Sequence, residues 1–110
     1  MAEGWDETGW VTNDAPCLHA RTLFSGVVAS EQDMRRAERA ILYELKCDTH
    51  MQCAFLRSFD YTRLRISALY GQAPVGGLRA SHEGLRVLLD RDGRVSVLVV
   101  DSMPLPPTVK

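Results

Sequence analysis

The sequence predicts an α+β fold in which one amphipathic helix packs on a mostly antiparallel sheet of four to five strands. An apolar stripe recurs at three- and four-residue steps between residues 30 and 47, and strict alternation replaces it near residue 50. The second half of the chain has no further βα pattern that would require a parallel sheet. The 110 residues are 45% hydrophobic and 25% charged, which is typical of one globular domain.

Composition divides the chain into a tail, a domain and an arm. Residues 1–16 are predicted to form a flexible acidic tail, because polar and acidic side chains surround Trp5 and Trp10. Residues 17–103 are predicted to form a single α+β domain, and residues 104–110 a proline-rich C-terminal arm. The formal net charge is −1, yet the first 14 residues hold four acids and no Lys or Arg. The remainder is therefore weakly basic, which does not by itself require nucleic acid as a partner.

The first half of the domain is predicted to contain a short strand followed by the helix. Residues 20–28 are rich enough in β-branched and aromatic side chains for a strand. Ser30 followed by Asp33 is a variant of the capping box, which marks the start of a helix, and the helix is predicted to end near Cys47. Its apolar stripe consists of Met34, Ala37, Ile41 and Leu45.

Two strands are predicted directly after the helix. Apolar side chains alternate with other residues over residues 51–59 and again over residues 63–70. Asp60 and Tyr61 would make the tight connection between them. The alternation in each segment predicts a strand with one face towards the core and one towards solvent.

A loop and a hairpin are predicted for the last part of the domain. Residues 71–82 contain three glycines and a proline, which favours a loop. Residues 85–89 and 95–99 resume the alternation on either side of a four-residue turn that ends at Gly93. This pattern is typical of a β-hairpin.

The three cysteines and two of the three histidines lie in two short segments of the sequence. Zinc prefers four thiolate or imidazole ligands, and these side chains could supply them. Neither segment has the spacing of common structural zinc sites, and free cysteine is among the most buried residue types. We therefore favour buried cysteines in a reducing compartment with no cofactor, and keep a metal site as the alternative. Its candidate ligands are Cys17, His19, Cys47, His50 and Cys53.

Arginines in the polar phase of the predicted strands suggest an alternative function. If the strands form as predicted, these arginines share one exposed sheet face, and such a face can follow a phosphate backbone. The aromatic residues that would stack on bases do not join them, so nucleic-acid binding is the alternative and not the main hypothesis. The candidate residues are Arg63, Arg65, Arg86 and Arg94.

The acidic tail carries the candidate residues for binding another protein. Exposed tryptophan is costly unless it docks, and neighbouring acids can steer a tail towards a basic partner. The alternative is that the tryptophans fold back onto the chain's own sheet. The candidate residues are Trp5, Asp6, Glu7 and Trp10.

Catalytic motifs are scarce in this sequence. His82 and Glu83, beside the glycine-rich loop, are the only suggestive pair. The segment 71–77 lacks the Gly-Lys-Ser/Thr of a phosphate-binding loop. A small enzyme with an unrecognised site is therefore the second alternative.

The expected function is that of a non-catalytic protein-binding module, a small regulator or a subunit of a larger complex. An exposed strand edge on a small sheet also predicts a possible homodimer. No apolar run approaches the roughly 18 residues of a membrane span, and the acidic N-terminus does not resemble a signal peptide. We therefore expect no membrane partner and a cytoplasmic or nuclear location.

Overall fold

Two α-helices and four β-strands make up the part of the chain that the structure describes. The structure is a computed structural model, and it describes residues 17–103. Two short 3-10 helices, His50–Gln52 and Phe55–Arg57, lie between the two α-helices. The α+β class is confirmed, and the predicted tail and arm lie outside the described residues. The elements are β1 (Cys17–Val27), α1 (Glu31–Leu45), α2 (Phe59–Tyr70), β2 (Leu78–His82), β3 (Leu85–Leu89) and β4 (Arg94–Met103).

The four strands form one antiparallel sheet in the order β1-β4-β3-β2. One row across the sheet joins Gly26, Val95, Leu89 and Leu78 through successive backbone pairs. At the opposite end of the sheet Cys17 pairs with Met103. The row at Gly26 and the pair at Cys17 therefore mark the two ends of the long strands β1 and β4.

Helix α1 forms where the capping box predicts it. The Ser30 hydroxyl accepts a hydrogen bond from the Asp33 backbone N–H at 3.2 Å, and the Asp33 carboxylate accepts one from the Ala29 N–H at 3.0 Å. This backbone hydrogen bond lowers the pKa of the Asp33 carboxyl below its ordinary value. The stripe residues Met34 and Ile41 are fully buried. The helix ends at Lys46, which has φ 57° in the left-handed region.

The predicted strands over residues 51–59 and 63–70 are wrong, and so is the prediction of a single helix. The first segment forms 3-10 turns, and the second lies in α2. The Ser58 hydroxyl accepts a hydrogen bond from the Tyr61 N–H at 3.3 Å, and Gly71 ends the helix at φ 67°.

The residue pattern of α2 satisfies both a helical and a strand period. Leu64 and Ala68 are buried and lie four residues apart, so they belong to a helical stripe and also to an alternating one. Ile66 and Tyr70 decide between the two, because a strand would bury them. They are 47% and 71% exposed. The caps at both ends, together with this ambiguity, explain why alternation alone gave the wrong element.

The segment predicted as a loop over residues 71–82 is also partly a strand. Its last five residues form β2, which pairs with β3 around a two-residue turn at Glu83 and Gly84. Glu83 has φ 52°, as such tight turns require. The β3–β4 hairpin forms as predicted, with Gly93 at φ 88°.

The core lies between the two helices and one face of the sheet. Helix α1 packs on β1 and β4, and α2 packs on β2 and β3. Val87, Val95 and Val97 point into this core and are fully buried, as expected for alternating positions of central strands. Side chains on the opposite face, such as Leu88 and Leu98, are only partly buried. Within residues 17–103, neither helix is long and apolar enough to cross a membrane.

Candidate functional site

An open groove of about 740 Å³ lies at the end of the sheet where the loop before β2 meets the β3–β4 turn. We call it the arginine groove, because three guanidinium groups line it. Its other walls combine backbone of the glycine-containing loop with apolar side chains. The residues that line it include Arg63, Val75, Gly77, Leu78, Arg79, Leu88, Asp90 and Arg91.

Three different elements bring the arginines of the groove together. Arg63 lies in the first half of α2, Arg79 lies on β2 directly opposite Leu88 of β3, and Arg91 follows Asp90 in the β3–β4 turn. Each of the three arginines is exposed. The groove therefore depends on the packing of α2 beside the β2–β3 hairpin.

Gly77 allows the loop to approach the end of β3. Its φ is 77°, and a Cβ atom added there would lie 2.6 Å from the Leu89 carbonyl oxygen. Such a contact is too close for any other residue, and the backbone conformation favours glycine as well. The Gly77 N–H donates a hydrogen bond to the Pro74 carbonyl at 2.8 Å, which closes the loop on itself. This turn brings Val75 to the mouth of the groove, where it is 81% exposed.

The charges of the groove are not neutralised by neighbouring residues. Within residues 17–103, Arg63, Arg79 and Arg91 take part in no ion pair or side-chain hydrogen bond. The one carboxylate at the groove, Asp90, already accepts hydrogen bonds at 2.9 and 3.0 Å from the Asp92 and Arg94 N–H groups of its own turn. The groove therefore carries three guanidinium groups whose charge no side chain within residues 17–103 neutralises.

In a second cluster, charged residues of α1 and α2 are paired with one another. Glu38 of α1 is only 1% exposed, and its Oε2 accepts hydrogen bonds from the Tyr61 hydroxyl at 2.5 Å and from Arg65 Nε at 2.7 Å. Arg65 also pairs with Glu31 through Nη2. His50 Nε2 lies 3.0 Å from Glu38 Oε1, without hydrogen-bond geometry. This network joins α1 to α2.

The buried network raises the pKa of two of its members, Tyr61 and Arg65. Burial raises the pKa of the Tyr61 hydroxyl well above its usual range, and the hydrogen bond to Glu38 adds to this effect. Burial opposes the charge of Arg65, but its hydrogen bonds to Glu38 and Glu31 outweigh burial and hold its pKa above the usual value. A neutral tyrosine and a charged arginine thus face the carboxylate. We assign this network to stability, because a buried carboxylate needs such donors.

The prediction that four arginines share one sheet face is wrong. Arg63 and Arg65 lie on α2, because the strand predicted there is a helix. Arg86 and Arg94 lie on strands, where Arg86 donates to the Glu83 carbonyl and Arg94 Nη1 donates to the Ser25 hydroxyl at 3.1 Å. Of the four, Arg63 alone lines the arginine groove.

The candidate metal ligands are only partly brought together. Cys47 and Cys53 are neighbours, and their hydrogen bond, together with burial, raises the pKa of the Cys47 thiol. His50 lies instead over Glu38. The side chain of Cys17 lies outside the described part, and His19 is exposed on β1. Among the side chains that the structure describes, no three His, Cys, Asp or Glu residues form a group that could hold a metal ion.

The remaining candidates lie at the end of a hairpin and outside the described residues. His82 is the last residue of β2 and its ring centroid lies 6.1 Å from that of Phe55, while Glu83 occupies the turn. The predicted partner-binding residues all fall outside the described residues: Trp5, Asp6, Glu7 and Trp10.

Sequence reasoning missed two of the three groove arginines. Arg79 falls in the segment predicted as a loop. Arg91 falls in a turn, where a charged residue is common and does not by itself indicate a function. The available signal was the position of both beside glycine-rich turns, Gly76-Gly77 and the turn that ends at Gly93. No protein-family model, curated protein or solved structure matches this chain.

Proposed function

We propose that this domain is a non-catalytic protein-binding module, a small regulator or complex subunit, which binds an acidic segment of its partner in the arginine groove. The observation that carries the proposal is the set of three guanidinium groups around one groove, none of which has a side-chain partner within residues 17–103. Arginine matches carboxylates through two parallel N–H donors, so it suits the recognition of Asp and Glu side chains.

The apolar walls of the groove favour a peptide over a simple anion. Val75 is largely exposed at the rim, and Leu78 and Leu88 are only partly buried. A peptide that carries an apolar side chain among its acids would cover these residues while its carboxylates meet the arginines. The proposed ligand is therefore a short segment with several Asp or Glu residues and at least one apolar residue.

Nucleic acid is the competing ligand, and the groove suits it less well. Proteins that bind single strands stack the bases on aromatic side chains, and none of the residues lining the groove is aromatic. The whole chain has a formal net charge of −1, so no general positive charge supports phosphate binding. Nucleic-acid binding therefore stands as an outcome of the test.

A reducing compartment, cytoplasmic or nuclear, belongs to the same proposal. The odd number of cysteines, three in 110 residues, supports it. The tail residues Trp5, Asp6, Glu7 and Trp10 remain candidate contacts with a partner.

The test measures binding of a labelled peptide with four glutamates and one leucine by fluorescence anisotropy. The protein is a full-length tail-neutral variant, in which the chain's own acids cannot compete. Its changes are Glu3→Gln, Asp6→Asn, Glu7→Gln and Asp14→Asn. Arg79→Glu with Arg91→Glu, the groove-reversed change, should weaken binding about tenfold or more, because two attractive charges become repulsive.

The matched control carries the same change of charge elsewhere. Arg39→Glu with Arg57→Glu alters two exposed arginines that lie outside the groove and take part in no ion pair within residues 17–103. Peptide affinity in this control should stay within about twofold of the tail-neutral protein, apart from a small long-range effect. Equal losses in both variants, or tighter binding of a labelled oligouridine than of the peptide, would reject the proposal.

A further inference from the structure

We propose that the acidic segment bound in the arginine groove is the N-terminal tail of a second copy of this chain, so that two copies exchange their tails. This inference rests on the function proposed above and names its partner. The interaction surface on one copy is the arginine groove. The occupant is the segment from Glu3 to Asp14 of the other copy.

Charge complementarity selects the tail as the occupant. Residues 1–14 contain four of the chain's 14 acids and none of its Lys or Arg residues, so this segment is the most strongly acidic part of the sequence. Trp5 and Trp10 lie among these acids in the sequence. Their side chains would pack on Val75 and on the leucines that line the groove. The tail therefore has the composition that the groove was inferred to prefer.

The point at which the tail leaves the domain argues against binding to its own groove. The groove is level with Gly26, because Gly26, Val95, Leu89 and Leu78 stand in one row of the sheet. Cys17, where the tail begins, is nine residues further along β1, which corresponds to about 30 Å in a strand. The tail thus leaves from the opposite end of the molecule.

The length of the tail makes this distance hard to cross within one molecule. Glu7 lies ten positions before Cys17, and a chain of ten residues spans at most about 33 to 36 Å when fully extended. Glu7 could therefore reach its own groove only at full stretch, and Asp14 could not reach it.

A second copy removes this constraint if it lies antiparallel to the first. Within residues 17–103, strand β1 is an edge of the sheet that pairs with β4 alone, and its 11 residues are long for an edge strand. Two copies placed edge to edge about a two-fold axis would put Cys17 of each one near the groove end of the other. The tails would then need to cross only the width of the sheet.

A charge-swap experiment by sedimentation velocity tests the exchange on full-length protein. The wild type should form a dimer, and its dissociation constant should rise about tenfold or more in the tail-neutral variant and in the groove-reversed variant. The Arg39→Glu, Arg57→Glu control should dimerise as the wild type does. A tail-reversed variant, Asp6→Lys with Glu7→Lys, should also be monomeric by itself.

Mixing the tail-reversed and the groove-reversed variants gives the decisive result. In a mixed dimer both contacts are attractive again, because lysines face glutamates in one groove and acids face arginines in the other. An equimolar mixture should therefore recover dimers, although each variant alone remains monomeric. A wild type that stays monomeric, a dimer that the reversals leave intact, or a mixture that stays monomeric would each overturn the exchange.

The two proposals fail in different ways. If the labelled acidic peptide binds the tail-neutral variant through the groove while the wild type is monomeric, the binding function stands and the tail exchange is wrong. If the wild type is monomeric and the tail-neutral changes strengthen peptide binding, the tail occupies its own groove, which also overturns the exchange. If the peptide does not bind and no dimer forms, both proposals are wrong.

Discussion

Arg63 and Arg65 lie two residues apart on α2, but only Arg65 has ion-pair partners within residues 17–103. Arg65 points towards α1, where it holds the buried Glu38 and also Glu31. Arg63 lies at the arginine groove and has no ion-pair partner within residues 17–103. Two residues turn a helix by about 200°, so neighbours of identical chemistry face different environments.

The comparison separates charge that stabilises the fold from charge that is available for binding. The Glu38 network buries a carboxylate, and its donors therefore have fixed partners. The three guanidinium groups of the arginine groove are exposed and have no ion-pair partner within residues 17–103, so their charge remains available for the proposed binding of an anion. A count of arginines, or of basic residues on a predicted face, cannot make this distinction.

The largest difference between the two arginines is expected when each is replaced in turn and the stability of the fold is measured. Arg65→Met should reduce the free energy of unfolding by about 3 kcal/mol, because it leaves the Glu38 carboxylate buried without its main cation. Arg63→Met should change it by less than about 0.5 kcal/mol, as expected of an exposed side chain. Urea denaturation of both variants at neutral pH measures the difference. Similar losses in the two variants would show that Arg63 also serves the fold.

A smaller effect is expected at the other donor to Glu38. Tyr61→Phe removes the hydroxyl that donates to Oε2 and should reduce the free energy of unfolding by about 1 to 2 kcal/mol. Tyr43, which is 86% exposed, provides the control, because Tyr43→Phe should have almost no effect. If both changes are silent in urea denaturation, the network does not hold α1 to α2.

The smallest effect is expected at Asp33, in the first turn of α1 and outside both regions. The pKa of Asp33 is lowered by the Ala29 N–H, so folding favours the charged carboxylate. Its contribution is present above the ordinary pKa of 3.8 and is lost as the pH falls through the lower value of the folded state. Asp33→Asn should therefore lower the melting temperature slightly at pH 6, and the difference from wild type should shrink as the pH falls below 3.8 and through the lowered pKa of the folded state. A difference that persists at low pH would mean that the charge is not its source.

Local signals were sufficient to predict some elements and not others. The capping box at Ser30 and the turn before Arg94 each determine an element within a few residues, and α1 and the β3–β4 hairpin form accordingly. Residues 63–70 could not be assigned by alternation, because Leu64 and Ala68 fit both periods. Ser58 and Gly71, as caps of α2, carried the information that alternation lacked.

The arginine groove could not have been predicted from the sequence. It combines residues from α2, β2 and the β3–β4 turn, and their proximity depends on the order of strands in the sheet. The same is true of the Glu38 network, since Glu38 and Tyr61 are 23 residues apart. Composition did indicate the acidic tail, which requires no knowledge of the fold. Sequence thus pointed to one side of the proposed contact, and the fold was needed for the other.

The most direct test of whether the arginine groove binds an acidic peptide is to observe the arginine side chains themselves by NMR. Nε–Hε signals are recorded in the tail-neutral variant while the glutamate-rich peptide is added, with assignments from single arginine substitutions. We expect the signals of Arg63, Arg79 and Arg91 to shift as the groove fills, while the signal of Arg65, whose Nε is hydrogen-bonded to Glu38, does not move. Unchanged groove signals, or equal shifts at Arg39 and Arg57, would contradict it.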